Sequence, residues 1–123
     1  MKTAESRASL PHELPHGDAV VSVVHATLLG AALASGNAVL FGAAGSGDRL
    51  HEPYRAANAP HLETIRTDPP VGYLGATLSG SGPTVIVWAE KTRVAETVAQ
   101  LAERFPDHEV LQLAVTTTGA GAA

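Results

Sequence analysis

His12-Glu13-Leu14-Pro15-His16 spells the letters of a zinc metalloprotease motif, in which two imidazoles hold the metal and a glutamate activates its water. That chemistry needs both rings on one helical face, four residues apart. Pro15 lies inside the turn that would carry them and Pro11 just precedes it. An interior proline costs a helix about 3 kcal/mol or more. The segment therefore reads as a proline-rich surface turn, with no metal site. Ser79-Gly80-Ser81-Gly82-Pro83-Thr84 is a different case. Glycines on either side of a serine let the backbone turn sharply and aim successive N–H groups into a concavity that suits an anion. A plain tight link between two strands explains the same residues equally well.

His51-Glu52-Pro53-Tyr54-Arg55 places an arginine at a helix end, where it can cap carbonyls or grip a carboxylate as a bidentate fork. Arg7, between Ser6 and a Ser-Leu-Pro stop, carries the same two meanings. Both are also what a solvated surface arginine looks like. His25 interrupts an apolar run and reads as a core histidine rather than a ligand; Trp88 and Tyr73 alternate with aliphatics as sheet-face residues do. A Walker-type phosphate loop is missing. The Gly80-x-Gly82 run lacks the third glycine of a dinucleotide fingerprint.

Eight Lys and Arg against twelve Asp and Glu leave a net charge of −4, which offers no basic footprint for nucleic acid or an anionic membrane. The chain has no cysteine, so thiol nucleophiles, disulfides and cysteine-based zinc sites are excluded. A cytoplasmic location is compatible with that. At 123 residues, 45% of them hydrophobic, the chain can bury one core. The start Met1 to Arg7 has no apolar region of a signal peptide. The longest apolar stretch, 19–34, is broken by Ser22, His25, Thr27 and Gly30 and reads as too short and too polar for a membrane span.

Positioning these groups falls to elements that the periodicity outlines. A short helical turn over 4–9 is capped by Thr3. Asp18 caps a helix over 19–35 that is apolar on nearly every face and rich in small residues, hence closely packed. Gly36-Asn37 ends it, and a second helix over 38–52 stops before Pro53. After a short helix at 61–66, Tyr73–Leu78 and Thr84–Ala89 read as paired strands. An amphipathic helix covers 91–105 and a final strand 110–116. Helices followed by hairpin, helix and strand make an α+β two-layer domain over 1–118, with a disordered tail at 119–123.

In order and spacing, several of these pieces resemble the C-terminal half of bacterial homoserine kinases, in the GHMP small-molecule kinase superfamily. Thr3-Ala4-Glu5-Ser6-Arg7 with Leu10-Pro11, Asp18-Ala19-Val20 with its long helix, and Asp48 to Arg55 carry the likeness. Gly75 to Val85 is similar to the superfamily's third motif. The resemblance implies a GHMP-kinase C-terminal domain with helices on a small antiparallel, ferredoxin-like sheet. It implies L-homoserine and ATP as substrates, with Arg7 and Arg55 holding the homoserine carboxylate and Gly80, Ser81 and Gly82 against substrate and phosphate. ATP and Mg²⁺ would be held mainly by an N-terminal half, together with the catalytic groups, none of which is in this chain. A fragment from a truncated or late-starting reading frame is the implied origin, inactive alone, and homodimerisation or self-association through the exposed apolar helix is expected. The alternatives are a different GHMP kinase, or a non-catalytic amino-acid-binding or subunit-interaction module.

Overall fold

The computed structural model describes residues 3–116 and 118; the tail expected at 119–123 lies outside them. Helix α1 spans Thr3–Ala8 and α2 spans His16–Ser35. The segment 12–15 is not helical, as its prolines dictate. Pro15 stands at the N-cap of α2, and Asp18, expected there, sits one turn inside, where its charge meets the helix dipole. Gly36 closes α2 in the left-handed conformation at φ 66°. Asn37 then caps α3 (Ala38–Ala44), its side chain accepting a hydrogen bond from Leu40 N–H at 2.9 Å.

The helix expected over 38–52 is two elements. α3 ends at Ala44, and Glu52–Arg55 forms a separate single turn, α4, with Pro53 in its first positions. Proline is at home in a first helical turn, so Pro53 starts this helix where it was expected to stop one. A 3-10 turn, Ala56–Asn58, leads to α5 (His61–Thr67). Strands β1 (Tyr73–Leu78) and β2 (Val85–Ala89) pair antiparallel with Ala76 opposite Val87 and Leu78 opposite Val85, and α6 (Val94–Arg104) follows.

Pleating sends alternate side chains to opposite faces of the hairpin. Ala76, Leu78, Val85 and Val87 meet Leu62 and Ile65 of α5 and Leu101 of α6, which form the main core. On the other face, the Trp88 indole lies edge-on to Phe41 of α3 at 5.2 Å and donates to Thr77 Oγ1 at 3.1 Å. Helices thus pack on a small antiparallel sheet, as expected, and α3 covers its second face. α2 lies against α3.

Residues 110–116 do not form the expected strand. Val110 reaches the core, but Leu111, Leu113 and Val115 are 65%, 80% and 87% exposed, and β2 pairs with β1 alone among the described residues. Strand propensity reports a fit to a pleated, half-buried surface, and here no such surface is supplied. α2 also departs from expectation. At 20 residues with mean hydropathy 1.6 it is long and apolar enough to cross a membrane by length and composition, because it begins at His16 and takes in more than 19–34. Only Ala32 is buried along it, while Val23 and Leu33 are about two-thirds exposed.

A partly buried ion pair, with the Glu52 carboxylate its buried member, fastens the helices to the hairpin. Arg66 Nη2 of α5 lies 2.8 Å from Glu52 Oε2 of α4, and Arg66 donates from Nε and Nη2 to the Ala76 carbonyl of β1 at 3.2 and 2.6 Å. Replacing one partner of such a pair leaves a buried charge uncompensated. Arg66→Ala is expected to cost about 3–5 kcal/mol in urea unfolding.

Candidate functional site

A cleft of about 510 Å³ opens where α2, the loop after α3, α4 and the end of β1 meet. Ser22 and His25 line it from α2, Asp48 and His51 from the loop, Arg55 from α4, and Leu78 and Gly80 from the hairpin. The wall is built by polar contacts that the sequence alone did not reveal. Ser22 Oγ accepts from Arg49 N–H at 3.1 Å, and His25 Nδ1 lies 3.1 Å from the Ala44 carbonyl. Two of the polar residues that interrupt the apolar helix, Ser22 and His25, therefore fasten the 44–50 segment to it. His25 has a hydrogen-bond partner as expected, but it is half-buried at the cleft wall and not a core residue, because its ring serves the loop after α3.

Asp48 organises the next turn. Its Oδ1 accepts from Leu50 N–H at 2.7 Å and His51 N–H at 3.1 Å, and its Oδ2 accepts from Glu52 N–H at 3.2 Å. His51 Nδ1 lies 3.4 Å from the same Oδ2. Glu52, 8% exposed, divides its carboxylate: Oε2 faces Arg66, and Oε1 accepts from Leu78 N–H at 3.1 Å. Leu78 is the last residue of β1, immediately before the glycine turn.

Arg55 reaches across to that turn and donates from Nη1 to the Gly80 carbonyl at 3.2 Å. Its Nε is buried and has no hydrogen-bond partner among the described residues. Gly80 and Gly82 take φ of +60° and +76°, values that only glycine adopts without strain. Within the turn, Ser79 N–H donates to the Thr84 carbonyl at 2.9 Å and Gly82 N–H to the Ser79 carbonyl at 3.2 Å. The structure thus brings Arg55 and Gly80 together at the cleft. Ser81 and Gly82 belong to the same turn but are not among the cleft-lining residues. Arg7 is exposed in the last turn of α1 and is not among them either.

Asp48, Glu52, Arg66, Ser22 and His25 went unremarked as site-building residues. A signal was present for two of them: an aspartate, then a glutamate four residues on, just before a proline, is how a short helix announces its first turn.

A cleft between a glycine turn and an arginine-bearing helix, on an α+β scaffold, is an architecture suited to small anionic molecules. The chain belongs to the GHMP kinases: residues 28–107 match the family described as GHMP kinases C terminal. It is 39% identical over 118 residues to the homoserine kinase of Bacillus velezensis and 44% identical over 105 residues to that of Solibacter usitatus. These alignments cover 95% and 85% of this chain but only 38% and 34% of the two relatives, so the chain spans little more than a third of their length. The crystal structure of homoserine kinase from Cytophaga hutchinsonii superposes with a TM-score of 0.73 at 23% identity, covering 87% of this chain and 34% of that one. It shows the same fold.

The 44–50 loop can be tested directly. A Cβ at Gly47 would collide with the His25 ring. Gly47→Ala is expected to destabilise the chain by about 1–3 kcal/mol, the cost of overpacking. In a His25→Ala background the same substitution should cost markedly less, a coupling that a double-mutant cycle in urea would measure.

Proposed function

We propose that this chain is the substrate-binding C-terminal part of a homoserine kinase, acting with ATP and Mg²⁺ bound mainly by residues outside it. The observation that carries the reading is Arg55, set at the cleft by α4 with its Nη1 on the Gly80 carbonyl. A guanidinium held on one side by a carbonyl keeps further N–H groups for a carboxylate, and such charge-assisted pairs are the strong ones. Two amides of the glycine turn are spent within it, which leaves those of Gly80 and Ser81 as the donors suited to an anion. The names of the relatives supply the substrate: L-homoserine has an α-carboxylate for Arg55 and a hydroxyl to accept the phosphoryl group. In the transfer the hydroxyl oxygen bonds to the γ-phosphorus, the bond to ADP breaks, and the hydroxyl proton is lost. Positioning and charge stabilisation carry most of that chemistry. Arg7 joins Arg55 at the carboxylate in this reading, with Gly82 shaping the turn. A cytoplasmic location fits a biosynthetic kinase.

The test is a chimera in which this chain replaces the matching 38% of the Bacillus velezensis enzyme. It should phosphorylate L-homoserine. Arg55→Leu in the chimera should lower kcat/KM for homoserine by roughly ten- to a hundredfold while leaving the KM for ATP nearly unchanged. Arg55→Lys should also be impaired, since an ammonium keeps the charge but loses the fork. Unchanged homoserine kinetics in the leucine variant would end the assignment.

The exposed apolar side of α2 favours a second property, association through that face. Val20, Val23 and Val24, which share that face, leave it largely uncovered. Ser22 and His25, by contrast, point to the loop, which suits a helix in a protein interface better than one in lipid. The isolated chain should therefore self-associate in light scattering. Val23→Glu should shift it toward monomer.

A further inference from the structure

We infer that Asp48 and Glu52 are positioning residues for Arg55, two carboxylates at the cleft wall whose part is to hold the short helix α4 that carries the arginine. The inference rests on the reading of Arg55 as a carboxylate anchor. α4 has four residues. One helical turn cannot hold itself together, because nucleation fixes several residues for a single hydrogen bond. Its geometry must be held by contacts beyond the turn itself, and the two carboxylates at its start supply them. Asp48 gathers the amides of Leu50, His51 and Glu52, which orients the turn's start. Glu52 then pins the turn to the hairpin through Leu78 N–H and Arg66.

The placement of the second pin matters. Leu78 is two residues before Gly80, whose carbonyl receives Arg55 Nη1 at 3.2 Å. Glu52 therefore ties the arginine's helix to the arginine's own partner loop, and the distance between Arg55 and the glycine turn is set by the Glu52–Leu78 contact of 3.1 Å. Asp48 sets the rotation of the turn and Glu52 its depth. Neither needs to reach the ligand for its loss to be felt there, since small misplacements of a binding group are costly.

A positioning role differs from a merely structural one in what it does to selectivity. The 123-residue chain would be titrated, by NMR, with L-homoserine and with L-homoserine amide, which lacks the carboxylate charge. The unaltered chain should prefer homoserine by roughly tenfold or more, the size expected of one charge-assisted pair. Arg55→Leu should remove most of the preference, leaving only what Arg7 supplies. Asp48→Asn and Glu52→Gln should also erase most of it, with Arg55 intact and the helical circular dichroism retained. If Glu52→Gln unfolds the chain, Asp48→Asn, whose site is partly exposed, decides alone. Preference lost in Arg55→Leu but kept in both folded carboxylate variants would overturn the positioning role and leave the anchor standing. No preference in the unaltered chain, or no binding of either ligand, would overturn the anchor and this inference with it.

Discussion

The Glu52 carboxylate is the contact on which the arrangement depends. It is buried, it faces Arg66 of α5, and it receives the last amide of β1. A carboxylate taken out of water is costly unless its lone pairs are filled, and here the Arg66 guanidinium takes one oxygen and the Leu78 amide the other. Arg66 is in turn held by the Ala76 carbonyl, so the ion pair sits on the same strand it fastens. The short α4 has little else to hold it. Its apolar neighbours are few, and the main core belongs to α5, α6 and the hairpin. A polar clasp therefore does for the cleft what hydrophobic burial does for the rest of the domain.

That core is thin for a chain of this size. Its fully buried apolar side chains are chiefly alanines, with Leu62, Ile65 and Leu101. Much larger apolar groups stay outside, along α2 and at Leu111, Leu113 and Val115. In the last of these the large apolar side chains fall on alternate residues, the pattern of a strand with one face meant for burial. A helix apolar on all sides and a strand-patterned segment without a ladder describe surfaces suited to more protein than the described residues supply. The relatives, more than twice as long as the stretch they share with this chain, are consistent with that.

Much of the fold was legible because it follows from local rules. β1 was placed to the residue and β2 within one, since runs such as Val85-Ile86-Val87-Trp88 have few other homes. The long helix, its glycine stop and the amphipathic α6 were legible for the same reason. What escaped depends on contacts far apart in the chain. Whether 38–52 is one helix or two turns on Asp48, whose carboxylate gains more by capping α4 than by riding inside a longer helix beside Gly45 and Gly47. The 110–116 segment has strand propensity, but propensity does not create a partner edge. Arg55 and the glycine turn were picked out from residue types. Their meeting at 3.2 Å was not, because it depends on the Glu52 clasp, which joins residues 26 positions apart.

The same clasp explains why an arginine is better than a lysine at position 55 on geometric grounds alone. The Gly80 carbonyl takes one N–H of the side chain. A lysine ammonium satisfied by that carbonyl would be drawn toward it as a point charge, and its remaining donors would follow wherever the flexible stem allowed. The planar guanidinium behaves differently. Once one nitrogen is fixed by the turn and the helix behind it is fixed by Asp48 and Glu52, the plane of the fork is set, and with it the direction of the remaining donors. In the proposed reading of the cleft, a carboxylate then meets donors already aligned and loses less freedom on binding. The left-handed glycine that presents the carbonyl, the strand end that carries it and the buried glutamate that anchors both thus converge on a single property, the orientation of one side chain.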